Sequence, residues 1–508
     1  MKSVHVNQLG YRPGDVKKAI IPAKSEGFCV LRMLDEESVF EGTAGGVVEY
    51  TPGGERVRVA DFSSVAEKGR YVLCAGGKRS FPFTIQEHPY HALRAALLEF
   101  FHYQKCGTDL ECGLWSHPAC HTTLATVHGT DEKRDVSGGW HDAGDYGRYI
   151  VPAAKAVADL LLAHELSPNP DAHLPGVVWF ELEWMLKMQD PSGGVHHKVS
   201  CHRFNALEAM PHEEQEELVI APVSAVATAV FAAVTAMASR FYPDKARELL
   251  SAAGRAWDWC AANPDARPFK NPEDISTGGY GSTGDKDARF WAACELYVAT
   301  GEKCFHDFLK AGEIYTGLGW SNVGTYGIAA YLYRARDASD LQLTARMKDA
   351  LLTVCKKILH AYTTDPYGVS LGDDYRWGSN MIVANNAATF LLARPFTKQA
   401  IDLNQAALEH LHYLLGRNPL SQIYVTGFGE NPPKQPHHRP SAAKGQPVPG
   451  MVVGGPNKLT HQDPALKAHC TGNPPAKSYV DHKHSFSSNE VTIYWNSALY
   501  FLIAVLGL

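Results

Sequence analysis

The chain has 508 residues, 45% of them hydrophobic, and a formal net charge of -6. That length is enough for two domains with large buried cores. A mildly acidic chain without basic runs disfavours nucleic acid as a partner, and no membrane partner is expected.

From Val4 to about Gln86, short β-rich runs such as Phe28 to Met33, Val57 to Val59 and Tyr71 to Cys74 alternate with Gly, Pro, Asp and Ser turns. They predict a small β-sandwich over residues 1–88. Beyond Glu87 the apolar period becomes helical, starting at Ala92-Leu93-Arg94-Ala95-Ala96-Leu97-Leu98. Residues 89–508 then alternate Ala/Leu-rich segments with Gly/Pro loops: Pro152 to Glu165, Pro175 to Met188, Pro222 to Phe241, Asp244 to Ala262 and Thr344 to Tyr362 among them. About a dozen such segments suit six helical hairpins in two concentric rings. The stretch Ala225 to Met237 is apolar on nearly every side and is expected to be an inner, fully buried helix. Asn431 to Asp463 is the main long loop region, and loops of that length in compact domains are usually functional.

Eleven cysteines, an odd number spread thinly from Cys29 to Cys470, look like reduced thiols rather than a disulfide framework. The N-terminal Met1-Lys2-Ser3-Val4-His5-Val6 lacks the apolar core of a secretory signal, so the chain as written is expected to stay in the cytoplasm. A chain trimmed of its leader would look the same and would be secreted. The sequence leaves the oligomeric state open.

The densest chemistry lies in Gly139-Trp140-His141-Asp142-Ala143-Gly144-Asp145-Tyr146-Gly147-Arg148. Gly, Trp and Asp packed this closely make a shaped acidic loop, in which a water between Asp142 and Asp145 could be deprotonated by one and oriented by the other. An acid on the opposite face would complete an inverting glycoside hydrolase. Glu490, in Asn489-Glu490-Val491, opens the last apolar run and is the candidate, with Asn489 as the expected helix cap. Apolar or aromatic neighbours would raise its pKa.

These two stretches, together with Val425-Thr426-Gly427-Phe428-Gly429-Glu430-Asn431-Pro432-Pro433-Lys434-Gln435-Pro436-His437-His438-Arg439, resemble the motifs of glycoside hydrolase family nine in the expected order. Val6-Asn7-Gln8-Leu9-Gly10-Tyr11 is similar to the opening strand of the immunoglobulin-like domain that often precedes the family's catalytic domain. The resemblance implies a mainly α fold, an (α/α)6 barrel after a small all-β immunoglobulin-like sandwich. It implies Asp145 as catalytic base, Asp142 as a holder of the attacking water and Glu490 as general acid, with base and acid roughly 6.5–9.5 Å apart. His437 and Arg439 match the family's substrate-contacting pair, with His438 pointing elsewhere. Tyr375-Arg376-Trp377-Gly378-Ser379-Asn380 looks like its aromatic loop, with Trp377 as the platform for a sugar ring. Trp140 and Tyr494 read as core residues.

Cys106, Cys120, His121 and His141 supply two thiolates and two imidazoles, enough for a tetrahedral zinc shell without zinc-finger spacing. They resemble the structural zinc site of some family members, with Cys112 outside it. Asp285 and Asp287 fall in a segment that resembles a calcium-contributing stretch of the family. Ala288 replaces its glutamate, a loss that weakens or abolishes such a site. Phe486 stands where many relatives have Tyr.

The expected activity is inverting cleavage of β-1,4-glucan as an endoglucanase. The alternatives are an exo-acting β-glucosidase or β-glucosaminidase on short oligosaccharides and, from another class, a non-catalytic carbohydrate-binding protein.

Overall fold

The computed structural model describes residues 3–281, 284–335, 340–398 and 402–508. They form two compact units: one from the described residues of Met1–Phe100, Lys356–Arg394 and Lys398–Leu508, the other from those of Phe101–Cys355 with Pro395–Thr397.

The first unit opens with eight strands: β1 (Lys18–Pro22), β2 (Gly27–Arg32), β3 (Ser38–Thr43), β4 (Val48–Tyr50), β5 (Glu55–Asp61), β6 (Gly69–Ala75), β7 (Lys78–Arg79) and β8 (Phe83–Ile85). They pair antiparallel into a sheet of order β1-β5-β4 and a sheet β3-β2-β6-β7 with β8 on β6. Alternate residues point inward, so Ala19, Ile21, Phe28, Val30, Tyr71, Leu73 and Phe83 share one core. The three strand runs legible in the sequence correspond to β2, β5 and β6.

In the same unit the helix Ser379–Ala393 packs on the helices Leu403–Leu414 and Ile493–Val505. The sandwich is stitched to this helical part by polar side chains. Asn7 Nδ2 donates to Tyr90 Oη (3.0 Å) and meets His412 Nδ1 (2.9 Å), and Lys18 pairs with Glu409 (3.3 Å).

In the second unit the helix Ala225–Ala238 packs on Ile150–Leu166, Ala246–Ala262 and Lys286–Thr300, and the last of these packs on Gly324–Arg334. Every residue of Ala225–Ala238 is buried, as its all-round apolarity predicts, and Ser224 caps it by accepting from Ala227 N (3.3 Å). Pro175 occupies the first turn of Leu174–Lys187. Among the described residues no helix is long and apolar enough to cross a membrane.

Candidate active site

Two glycines set the entry to the acidic loop. Gly138 and Gly139 have φ of 100° and 76°, and a Cβ on Gly139 would stand 2.6 Å from Trp184 Cγ, so glycine is required there. Every residue from Trp140 to Arg148 is buried. Trp140 lies against Phe101, ring centroids 4.6 Å apart, as a core residue. The loop backbone is clamped from several sides. Gln104 Nε2 donates to the carbonyls of His141 (2.8 Å) and Ala143 (3.0 Å), Trp140 N donates to Glu181 Oε2 (2.6 Å), and Arg148 Nη1 donates to the carbonyls of Val136 (2.6 Å) and Gly138 (2.7 Å).

This clamping gives the two aspartates different surroundings. Asp145 Oδ2 accepts from Gly147 N (3.1 Å) and Tyr149 Oη (3.2 Å). Asp142 is 1% exposed, accepts from Tyr280 Oη (2.5 Å) on Oδ2, and keeps Oδ1 buried without a partner among the described residues. Burial pushes the Asp142 carboxyl well above the usual carboxylate range, opposed by the Tyr280 hydroxyl and reinforced by the charge of Asp145. Environments that separate two neighbouring carboxyls allow them different roles at one pH. Lys198 adds a buried cation: its Nζ donates to Gly278 O (2.6 Å) and Thr277 Oγ1 (2.9 Å). Burial pulls its pKa down to about 8, against the attraction of Asp145.

The cysteine and histidine cluster assembles as its composition predicts. Cys106 and Cys120 Sγ lie 3.9 Å apart, Cys106 Sγ is 3.6 Å from His121 Nδ1, and Cys120 Sγ is 3.7 Å from His141 Nε2. All four ligand atoms fall within 4.8 Å of one another, and all four residues are buried. A tetrahedral ion held by thiolates at about 2.3 Å and imidazoles at about 2.0 Å has ligand spacings of about 3.3–3.8 Å, so the donor set fits a metal ion. His121 Nε2 lies 3.0 Å from Glu214 Oε2, an arrangement that fixes the tautomer and leaves Nδ1 for the metal. Cys112 lies outside the cluster.

Glu490 belongs to the first unit and sits differently from the sequence expectation. It is half-buried and does not start the last helix: that helix is Ile493–Val505, and Thr492 caps it by accepting from Trp495 N (3.2 Å). Glu490 follows the short turn Phe486–Asn489 in extended conformation, bridged to His437, with its carbonyl accepting from Gly454 N (3.0 Å). Asn489 is no cap. It donates to Gln435 O (2.7 Å) and Asp481 Oδ1 (3.1 Å) and accepts from Tyr479 Oη (2.6 Å), which spends its side chain on fixing the backbone beside Glu490. The β-branched Thr492 takes the capping role because it is the last extended residue before helical backbone begins.

The structure brings His437, Phe486 and Trp377 together beside Glu490. Trp377 and Phe486 rings are 5.5 Å apart, Phe486 and His437 rings 6.0 Å, and Trp377 is 41% exposed. His437 Nδ1 donates to Lys483 O (2.6 Å), which makes Nε2 the acceptor nitrogen of the neutral ring. Burial holds the His437 pKa down at about 4, with Arg439 adding to the effect, so the ring is neutral at ordinary pH. His438 points elsewhere: it caps the short helix Arg439–Lys444, which interrupts the long loop region, and Arg439 opens that helix as a buried residue. Tyr494 is core.

Asp285 and Asp287 are committed to protein partners. Asp285 pairs with Arg289 (2.8 Å), and Asp287 accepts from Val323 N (2.8 Å).

Sequence reading missed Tyr280, Lys198 and Gln104, which act on the loop or its carboxylates from distant segments, and Glu214, which reaches His121 of the cluster. Tyr280 carried one local signal, its place between Gly279 and Gly281. It adopts φ 43°, a conformation that non-glycine residues pay about 1–3 kcal/mol to hold.

Comparison with known proteins agrees with this geometry. The sequence profile of Glycosyl hydrolase family 9 matches residues 90–503, and that of the cellulase N-terminal ig-like domain matches residues 1–80. The chain is 34% identical over 554 residues to a cellodextrinase of Butyrivibrio fibrisolvens, covering 99% of both, and 34% identical over 538 residues to endoglucanase D of Acetivibrio thermocellus, covering 99% of this chain and 83% of that one. The solved structure of a thermostable endoglucanase from Alicyclobacillus acidocaldarius superposes with a TM-score of 0.92 at 38% identity, over 100% of this chain and 99% of that one. The chain therefore belongs to glycosyl hydrolase family 9 and is a glycoside hydrolase with an (α/α)6 catalytic barrel behind an N-terminal immunoglobulin-like sandwich.

Proposed function

We propose that the chain is an inverting endo-β-1,4-glucanase in which Asp145 is the base, Asp142 holds the attacking water and Glu490 is the general acid. Asp145 takes a proton from the water as its oxygen attacks the anomeric carbon, the glycosidic carbon–oxygen bond breaks, and Glu490 gives its proton to the departing oxygen. The observation that carries this reading is that all three carboxyl residues are held in shaped backbone in a chain whose whole length matches relatives named for glucan cleavage. Trp377 offers a flat face to a sugar ring, His437 Nε2 bonds a hydroxyl, and Arg439 supports the same subsite. Proton NMR of the earliest product tests the stereochemistry. An α-anomer from a β-glucan is expected, and a β-anomer would reject the direct attack of water.

The full-length match to a cellodextrinase makes exo-acting cleavage of short oligosaccharides the reading to test against, although the endoglucanase relatives favour internal cleavage. Viscosity loss of a soluble glucan relative to reducing ends released separates the two, because internal cleavage drops viscosity early.

The ion we propose for Cys106, Cys120, His121 and His141 is zinc, which supplies charge and rigidity in a closed four-ligand shell. His141 precedes Asp142 in the chain, so these ligands aim the acidic loop. Calcium would have to displace Arg289 from Asp285 and Val323 from Asp287, and Ala288 contributes no ligand, so zinc alone is proposed. We place the domain boundary at residues 88 and 89, between the end of β8 at Ile85 and the helix that begins at His91.

A further inference from the structure

We propose that the N-terminal sandwich positions the substrate platform, with Tyr50 acting through Tyr375 to set Trp377. The proposal rests on the reading of Trp377 as a sugar-stacking residue.

Tyr50 ends β4, the outer strand of its sheet, and the chain then turns through Thr51–Gly53. Its hydroxyl lies 2.6 Å from that of Tyr375, and the two side chains are among the buried residues, at 2% and 0% exposure. The Tyr50 ring meets the Tyr367 ring at 4.8 Å. Tyr367 Oη donates to Glu55 Oε1 (2.8 Å), and Glu55 Oε2 accepts from Lys477 Nζ (2.9 Å). The Tyr375 hydroxyl also meets that of Tyr413, so the Tyr50 hydroxyl is one of two directional contacts that fix it, and its loss weakens the hold on the Tyr375 side chain.

Trp377 needs such support. With 41% of its surface exposed, its ring is not locked by burial, and its ring contact is with Phe486. Its place is therefore set by its backbone, which is pinned on both sides. Downstream, Ser379 N donates to Arg376 O (2.9 Å) at the start of the helix Ser379–Ala393. Gly378, at φ 80°, leaves no room beside Trp495, since a Cβ there would lie 3.2 Å from Trp495 Nε1. Upstream, the anchor is Tyr375, whose carbonyl accepts from Lys458 N (2.9 Å) and whose side chain is held by Tyr50. Releasing the Tyr50 contact loosens the upstream side of a two-sided hold while the Lys458 bond to the Tyr375 carbonyl remains.

Kinetics of the full chain on cellopentaose test this, with melting temperature measured in parallel. Tyr50→Phe is expected to raise KM about 3- to 10-fold while leaving kcat within about twofold, the pattern of lost ground-state binding. Trp377→Ala is expected to raise KM by about tenfold or more, and Tyr50→Phe added to it should raise KM no further, because residues acting through one another are not additive. An unchanged KM in Tyr50→Phe, or the same fold increase in the Trp377→Ala background, overturns the proposal. If Trp377→Ala leaves KM unchanged, the stacking role fails and the proposal falls with it; if Trp377→Ala weakens binding and Tyr50→Phe does not, the proposal alone fails. Should Tyr50→Phe fold poorly, Tyr375→Phe removes the same hydrogen bond from the other side and is read by the same criteria.

Discussion

Tyr280 donates a 2.5 Å hydrogen bond to Asp142 Oδ2, while Asp142 Oδ1 is buried with no partner among the described residues. One oxygen is thus fixed, and on the proposed reading the other holds the attacking water. Tyr280 is itself steadied edge-on by Tyr149 (5.0 Å) and Trp320 (5.1 Å), which offsets the strain of its backbone. Tyr280→Phe keeps those ring contacts and removes the donor. It should lower kcat on soluble glucan about 10- to 100-fold with KM changed by less than about threefold, since misaiming a reacting water costs turnover and not binding. Steady-state kinetics check it, and an unchanged kcat would remove Tyr280 from the reaction.

Glu490→Gln and Asp145→Asn should each cost about 10²- to 10⁴-fold in turnover on a natural glucan with the fold intact, because they delete proton transfer at nearly constant volume. A substrate with a nitrophenolate leaving group needs no proton on departure, so it should partly rescue Glu490→Gln and not Asp145→Asn. Equal rescue of both would mean that the acid and base are wrongly assigned.

What could be read from the sequence followed from local chemistry. The period change after Glu87, the apolar run at Ala225–Ala238 and the strands around Val30, Val57 and Leu73 each announce their own burial, because a repeat of two or of 3.6 residues fixes which face is inward. The four residues of the candidate metal cluster could be read from the sequence because thiol and imidazole are scarce and chemically distinctive. The cap of the last helix was misplaced at Asn489 because an Asn before an apolar run fits the rule equally well; only tertiary contacts with Gln435, Asp481 and Tyr479 take that side chain away. Gln104 left no pattern and Tyr280 only its flanking glycines, since each meets the loop from outside it, and Glu214 likewise meets His121 from a distant segment; their spacing along the chain carries no period.

The metal cluster yields a two-part prediction. Cys120→Ser removes a ligand and should lower metal content, melting temperature and activity together, because binding energy at a closed site is also folding energy. Glu214→Gln keeps every ligand and removes the carboxylate that orients His121, so it should weaken metal affinity by about 10- to 100-fold while the loaded protein retains its fold. Elemental analysis and competition with a chromophoric chelator measure both. Full metal content in Cys120→Ser would exclude that residue as a ligand, and unchanged affinity in Glu214→Gln would make its contact with His121 incidental.

The last prediction concerns acid stability. Glu409 is 1% exposed and pairs with the equally buried Arg417 and with Lys18 of β1. Burial alone would raise its pKa, but the Arg417 guanidinium and then the Lys18 ammonium outweigh it and hold the carboxyl at about 2. A folded pKa depressed below the unfolded value of about 4.3 contributes stability that is fully present above that value and is lost as pH falls from there toward about 2. Glu409→Gln removes this contribution and leaves Arg417 buried without its counter-charge, a change that costs about 3–5 kcal/mol for a broken buried pair. The variant should therefore melt lower than the parent at pH 7, and the gap between their melting temperatures should narrow as pH is lowered from about 4.5 to about 2. Thermal melts across that range decide it: a gap that stays constant would mean that the Glu409 charge contributes no pH-dependent stability, and coincident melts at pH 7 would mean that the pair contributes none.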